Sequence, residues 1–354
     1  MDASSSPVAL RKHLLLGQVI PAHPLALTAQ RTLDQRHQRA LTRYYIDAGA
    51  GGIAVGVHTT QFAIREPAHA LYRPVLELAA DTARAWRSGI SSPFVLVAGV
   101  IGDTRQAVAE AELAASLGYH VALLGLGALR YASENELIAH CRAVADVMPL
   151  FGFYLQPAVG GRVLSYAFWR AFAELEQVWA IKIAPFNRYQ TLDVVRAIGD
   201  AGRDDIALYT GNDDTIITDL LTPFPVAPAL GEGTRRLVGG LLGQWAVWTR
   251  AAVRLLDRVR RSSDDSISRD WLRTAAALTD ANGAIFDAAN AFAGCIPGIH
   301  EVLRRQGLVR GTWCLDPAES LSHGQVEEIA RVLAAYPELN DDAFVSENLD
   351  RWLE

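Results

Sequence analysis

Eight short apolar runs punctuate the chain up to residue 241, at 14–22, 53–57, 94–100, 120–124, 150–154, 178–183, 206–210 and 236–241. They are rich in Val, Ile, Leu and Phe without a polar residue at every second place. That pattern suits strands of a parallel sheet covered on both faces. From the second run on, most begin about 26–31 residues after the one before, the length of a strand plus a returning helix. Helical segments follow at 33–48, 72–87, 104–117, 133–147, 165–175, 191–201, 213–220 and 242–261. Gly49-Ala50-Gly51-Gly52 ends the first of these, because glycine tolerates the left-handed cap. Ser133 and Glu136 form a capping box at the start of the fourth. Eight βα units close naturally into a (β/α)8 TIM barrel, an α/β fold. An open doubly wound sheet competes with it, but no G-x-G-x-x-G follows the first run, and the glycines at 49–52 precede a strand rather than open a helix.

After residue 261 the strands stop. Ser262-Ser263-Asp264-Asp265-Ser266 reads as a polar linker, and amphipathic helices are expected at 269–291, 298–306, 323–335 and 346–353. This tail is too short for a large core of its own. The expected organisation is a flexible segment at 1–13, a barrel at 14–261, and additional C-terminal helices at 262–354 packed on the barrel or on another subunit.

Composition narrows the function. The net charge is −6 and no Lys/Arg-rich block occurs, which argues against nucleic acid as a partner. Cys141, Cys295 and Cys314 lack C-x-x-C spacing, so neither a zinc pattern nor a disulfide framework is written here. No apolar stretch approaches about 18 residues, so no membrane span is expected. The run Leu14-Leu15-Leu16 breaks at Gly17-Gln18, too early for a secretory leader. A cytoplasmic, soluble enzyme is the expectation.

Only two of the 33 basic residues are lysines, Lys12 and Lys182. Where a positive charge alone is wanted, this sequence uses arginine, which cannot lose its proton. Lys182 sits inside the apolar run 178–183. Desolvation favours the neutral amine, and a neutral amine is a nucleophile. The ordinary alternative is a lysine that snorkels to water or pairs with a carboxylate.

In a barrel, chemistry gathers where strands end and in the loops that follow them. Thr59 and Thr60 follow the second strand, Tyr154 ends the fifth, Gly211-Asn212-Asp213-Asp214 follows the seventh, and Gly239-Gly240 lies in the eighth. Each has a plain structural use as a turn, cap or core residue. Together they match the needs of imine chemistry on a 2-oxo acid: an amine (Lys182), a phenol to move protons (Tyr154), and donors for a carboxylate (Thr59, Thr60). His23, His58 and Arg162 are further candidates. No third histidine or carboxylate at ligand spacing joins the histidines, so no metal site is expected. The Pro-rich stretch 222–233 is a lid or a surface connection.

These motifs, in this order, resemble the dihydrodipicolinate synthase / N-acetylneuraminate lyase family of Schiff-base barrels. Tyr154-Leu155-Gln156-Pro157 is similar to the family's Y-N-x-P, and Lys182 follows at the family's spacing. His58-Thr59-Thr60-Gln61 resembles its G-T-T-G-E loop, and Thr210-Gly211-Asn212-Asp213 its S-G-D-D segment. Pro297-Gly298-Ile299-His300, with Leu303 and Gly307-Leu308, resembles a helix near the family's C-terminus. The resemblance implies a (β/α)8 lyase or aldolase acting on pyruvate or another 2-oxo acid. It makes Lys182 the Schiff-base lysine, Tyr154 the proton relay, and Thr59 and Thr60, with Gly211 and Gly240, the substrate-binding positions. The covalent imine is the electron sink, so no cofactor or metal is implied; an aldehyde is the second partner, and a homo-oligomer, tetramer or dimer, is the expected assembly. Departures are concentrated on the second substrate's side. Gly127-Ala128-Leu129 stands where the family has P-Y-Y, with Tyr131 displaced, and Val159 stands where it has an arginine, with Arg162 the nearest. His58 and Gln61 replace two residues of the glycine-rich loop. A barrel that binds the oxo acid without turnover is the rival function, and a phosphate-binding isomerase a more distant one.

Overall fold

The computed structural model describes residues 6–226, 233–262 and 266–354. Eight parallel strands and the helices between and after them make a (β/α)8 barrel with C-terminal helices. The barrel strands are β1 (Val19–Pro21), β2 (Gly52–Val55), β3 (Val95–Val100), β4 (Val121–Leu124), β5 (Leu150–Leu155), β6 (Val178–Ala184), β7 (Ala207–Thr210) and, after the antiparallel pair β8 (Phe224–Val226) and β9 (Gly233–Arg235), β10 (Gly239–Leu242). Their order in the sheet is β1-β10-β7-β6-β5-β4-β3-β2. Packing divides the chain into two compact units, the first comprising Met1–Gln18, Ser91–Asn212 and Thr218–Leu241, the second Val19–Ile90, Asp213–Ile217 and Leu242–Glu354.

In the first unit, β3 to β7 pair side by side, and nearly every residue in them is buried, as the uninterrupted apolar runs require. The segment expected to be flexible contains a helix, Pro7–Leu15. Ser6 caps it, accepting from Ala9 N–H, and Pro7 supplies a preset φ at the first position. Arg11 pairs with Asp205 and also donates to the Val178 carbonyl at 3.4 Å, and Tyr209 donates to Leu14 O at 2.8 Å. The helix is therefore tied to the ends where β6 and β7 begin. In the Pro-rich stretch β8 and β9 pair antiparallel; residues 227–232 lie outside the described residues. Val226 lies so close to Gly199 that a Cβ there would come within 2.6 Å, and Arg235 donates to Arg203 O at 2.7 Å.

In the second unit the helix Gln35–Ala48 buries Tyr44 and Tyr45 and receives the last helix, Asp342–Leu353. Trp352 lies 5.3 Å from Tyr44 ring to ring, and its Nε1 donates to Asp47 at 2.7 Å. The long helix expected at 242–261 is broken. A 3-10 turn, Gln244–Ala246, is followed by Trp248 at φ 55° and the helix Thr249–Arg260. Part of the polar linker at 262–266 lies outside the described residues. The later helices run Arg269–Ile285, Cys295–Arg305 and Gln325–Ala335. Gly298 in the second of them permits close packing: a Cβ there would meet Ile285 O at 1.9 Å.

Candidate active site

Lys182 lies late in β6 and is 8 % exposed. The register pairs it with Phe153 on β5 and with Tyr209 on β7. Paired residues of neighbouring strands share a face, and successive residues of one strand alternate. Phe151, Phe153, Leu155, Ala180, Lys182, Ala184 and Tyr209 therefore share one face, where the Phe151 and Tyr209 rings meet at 5.2 Å. Lys182 Nζ sits over the Phe153 ring, 4.5 Å from its centre. A cation so placed is attracted by the ring's negative face.

Tyr154 is on the other face. Its ring packs on Trp169 of the helix Tyr166–Phe172, and its hydroxyl both donates to Leu164 O and accepts from Leu164 N–H, each at 3.2 Å. Burial raises its pKa, against a lowering by the Leu164 backbone contact. The proton-relay role expected of Tyr154 is thus not matched by its position. The aromatic residue beside the amine is Phe153, which carries no hydroxyl.

Gly211 follows β7 and is placed against the lysine. A Cβ on it would lie 2.7 Å from Lys182 Cε, 3.0 Å from Lys182 Cγ and 2.7 Å from Ala184 Cβ. Only a glycine leaves the amine's stem its present path. Gly240, the other glycine expected at the site, pairs with Thr210, on the face opposite Lys182, and spends its N–H on Gln18 O at 3.1 Å.

On the opposite face, that of Thr210, a buried polar network fixes the loops after β6 and β7. Asp219, with a side chain fully buried, accepts from the Thr210 hydroxyl at 2.6 Å and from Asn212 Nδ2 at 2.9 Å, and pairs with Arg188. Arg188 also donates to Thr222 at 3.0 Å. Asn212 Oδ1 in turn accepts the Phe186 N–H at 3.0 Å. Phe186 holds φ 52°, an uncommon conformation for a non-glycine residue, directly beyond the lysine's strand. A buried carboxylate is tolerated when its lone pairs are met in this way. In the sequence, Thr210 ends a strand, Gly211-Asn212 reads as a turn and Asp219 falls in the expected helix at 213–220, and nothing there announces that Thr210 and Asn212 share its carboxylate.

The loop after β2 belongs to the second unit. Thr60 saturates its hydroxyl: Oγ1 accepts from Gly56 N–H at 3.0 Å and Val57 N–H at 3.3 Å, and donates to His23 O at 2.7 Å. Thr59 directs its hydroxyl to the same carbonyl at 3.3 Å. These contacts leave the Thr60 hydroxyl no capacity for a ligand. Gln61, next in the chain, is 4 % exposed and holds φ 67°, ψ 118°. Its Oε1 accepts from Leu315 N–H at 2.6 Å, while its Nε2 is buried without a partner. Leaving such a donor unmet costs about 1–3 kcal/mol. His58 is half-buried, with its ring 5.9 Å from that of Phe62.

His23 is a structural histidine, not an acid–base candidate. It is fully buried, its Nδ1 donates to Pro24 O at 2.9 Å, and its Nε2 accepts from Thr42 at 2.9 Å. Burial holds its pKa down to about 4, so the ring stays neutral. Arg162 is likewise committed. It donates to the carbonyls of Leu129 and Ala132, holding the loop after β4. Tyr131 points to solvent, 94 % exposed. Among the described residues, no cluster of three or more His, Cys, Asp or Glu is arranged to hold a metal, and no helix is long and apolar enough to cross a membrane.

A family model described as the dihydrodipicolinate synthetase family matches residues 15–222. No curated protein sequence matches the chain. Among solved structures, a monomeric dihydrodipicolinate synthase variant is 18 % identical, with 92 % of this chain and 98 % of that one covered at TM-score 0.72. A chloride-inhibited dihydrodipicolinate synthase from Acinetobacter baumannii, complexed with pyruvate, is 17 % identical over 93 % and 99 % of the two chains at TM-score 0.71. An N-acetylneuraminate lyase from Fusobacterium nucleatum, also complexed with pyruvate, is 18 % identical over 92 % and 99 % at TM-score 0.68. Identities this low speak for a common fold.

Proposed function

Because the chain belongs to the dihydrodipicolinate synthetase family, we propose that it is an aldolase-type lyase whose Lys182 forms a Schiff base with pyruvate or another 2-oxo acid. The amine attacks the ketone carbon, the carbinolamine loses water, and a protonated imine results. Loss of a proton from the adjacent carbon gives an enamine, which adds to an aldehyde; in the reverse direction an aldehyde departs. The observation that carries the reading is the buried Lys182 amine on the face shared with Phe153, its stem given room by Gly211. The Phe153 ring stabilises the positive imine. In this reading no metal or organic cofactor is required, and the assembly is a homo-oligomer.

One observation favours the rival, a barrel that binds the oxo acid and stops at the imine. The position beside the amine holds a phenyl ring, and the nearby phenol of Tyr154 is spent on Leu164. A proton relay contributes about 10²–10⁴-fold to such chemistry, so its loss slows steps after the imine more than imine formation itself. The test is incubation with pyruvate, reduction with borohydride, and mass spectrometry of the lysine peptides. An adduct on Lys182, absent from Lys182→Ala, is expected. No adduct with pyruvate or a panel of 2-oxo acids would refute the imine. An adduct without turnover on any aldehyde, with turnover gained in Phe153→Tyr, selects the binding reading.

A further inference from the structure

We propose that Asp219 is a positioning residue for Lys182: from the face of the sheet opposite the amine, its buried carboxylate fixes the turn Thr210-Gly211-Asn212 that walls the lysine's stem. The proposal deepens the imine reading and rests on it for what the amine does, but not for what holds the amine in place. One oxygen of Asp219 is the key. Its Oδ2 accepts both from the Thr210 hydroxyl, at 2.6 Å, and from Asn212 Nδ2, at 2.9 Å. These are the residues on either side of Gly211. The Thr210 hydroxyl oxygen also accepts the Asn212 N–H at 3.2 Å, which closes the turn. Gly211 donates its own N–H to Ile183 O at 2.8 Å, and Asn212 Oδ1 accepts the Phe186 N–H at 3.0 Å. The turn is thereby fastened to the chain just beyond Lys182 at two points, Ile183 and Phe186. Gly211 is left one place to stand, against the lysine stem, where a Cβ would come within 2.7 Å of Lys182 Cε and 3.0 Å of Cγ.

The choice of an acid supports the same assignment. A buried carboxylate is destabilising unless its charge and its lone pairs are met. Here Oδ1 pairs with Arg188, which also donates to Thr222 at 3.0 Å, and Oδ2 takes the two bonds of the turn. Hydrogen bonds to an ionised acceptor are shorter and stronger than neutral ones, and these two act at the points where the turn would otherwise rock. The stem they wall in is a flexible four-carbon chain. Between Gly211 and the Phe153 ring, whose centre lies 4.5 Å from Nζ, it has a single course. Without the acid the turn draws back, the stem gains room, and the amine swings from the ring toward water. If instead Asp219 served only to tie its own helix down, its loss would lower the melting temperature and leave the amine as it was.

The experiment compares the full chain with Asp219→Asn, Thr210→Val and Thr210→Ser, each well below its melting temperature. Thr210→Val keeps the side chain's shape and removes the hydroxyl, whereas Thr210→Ser keeps the hydroxyl, so this pair decides the matter even where Asp219→Asn does not fold. Two quantities are read on Lys182. The first is the rate of borohydride trapping with pyruvate, at saturation and at half-saturation. The second is acetylation by trace acetic anhydride relative to the exposed Lys12 of the same molecule, which reports on the amine without the imine. Asp219→Asn and Thr210→Val are expected to slow trapping at saturation by about 10-fold, less than the roughly 10²-fold of a fixed 1 Å misplacement, with little change in the half-saturating concentration. They are expected to raise the ratio of Lys182 to Lys12 acetylation several-fold, and Thr210→Ser to return both quantities toward wild type. Wild-type trapping and acetylation in folded Asp219→Asn and Thr210→Val would overturn the proposal, whatever their melting temperatures. Slowed trapping with an unchanged acetylation ratio would do the same, as would equal losses in Thr210→Ser and Thr210→Val. If wild type traps no pyruvate, the imine reading fails and the acetylation ratio alone decides: raised in both variants, the role of Asp219 stands; unchanged, it falls.

Discussion

Replacing Gly211 by alanine tests the geometry at the amine directly. The new Cβ would stand 2.7 Å from both Lys182 Cε and Ala184 Cβ, and 3.0 Å from Lys182 Cγ. Carbon atoms rest about 3.5–4.0 Å apart, so something must give by roughly 1 Å. Ala184 is anchored in β6, where it pairs with Leu155, and cannot retreat as far as the lysine stem. The stem is therefore expected to move and to carry the amine off its present position over Phe153. Overpacking of this kind costs about 1–3 kcal/mol. At about 2–4 °C per kcal/mol for domains somewhat smaller than this one, the melting temperature falls by roughly 2–12 °C. A misplacement near 1 Å costs on the order of 10²-fold in a positioned reaction, so trapping of pyruvate on Lys182 should slow by about that factor. Adding Ala184→Gly removes one of the two clashes. It should recover part of the melting temperature and little of the trapping rate. A Gly211→Ala protein that melts and traps like wild type would refute the reasoning, because the lysine would then not need the space that the glycine leaves.

Tyr154→Phe is expected to lose about 1 kcal/mol of stability, the net worth of a buried hydrogen bond, and to trap pyruvate at the wild-type rate; a loss of trapping would restore the relay role. The neutral, buried His23 gives a pH dependence of known sign. Its folded pKa, about 4, lies below its ordinary value of 6.5, so between these values the unfolded chain binds more protons. Stability is complete above about pH 6.5 and falls as the pH drops toward 4, by at most about 3 kcal/mol. Urea titrations across that window should show the slope; His120 and His300, also held down to about 4 by burial, contribute with the same sign, so His23→Gln should reduce the slope by about a third rather than abolish it.

The fold was legible because parallel strands buried on both sides advertise themselves as unbroken apolar runs at regular spacing. The same property hid part of the site. When Phe151, Gly152, Phe153 and Tyr154 are all enclosed, no polar–apolar alternation says which residues face the barrel interior. A Y-x-x-P motif carries the spacing to the proline but not the phase of the pleat, and one residue of phase exchanges Tyr154 for Phe153. Lys182 escaped this ambiguity, since an amine in an apolar run is conspicuous on either face. Thr60 and His23 illustrate another limit. Their types suit a ligand, but whether a hydroxyl or an imidazole is free depends on which carbonyls the fold brings to it. The helix Pro7–Leu15 was missed because its polar start, next to a proline, reads as a frayed end when the strands that receive it lie nearly 200 residues away.

That helix also determines how the protein meets amine chemistry. Lys12, on its exposed side, and the enclosed Lys182 are the chain's only lysines. Reagents that acylate accessible amines will find Lys12 far more readily, and coupling to a surface through it anchors the protein by the helix fastened where β6 and β7 begin. A lysine-specific protease, acting on the unfolded chain, cuts after residues 12 and 182 and nowhere else. The sequence thus carries a built-in internal standard: each labelling experiment at the buried amine comes with its own exposed control.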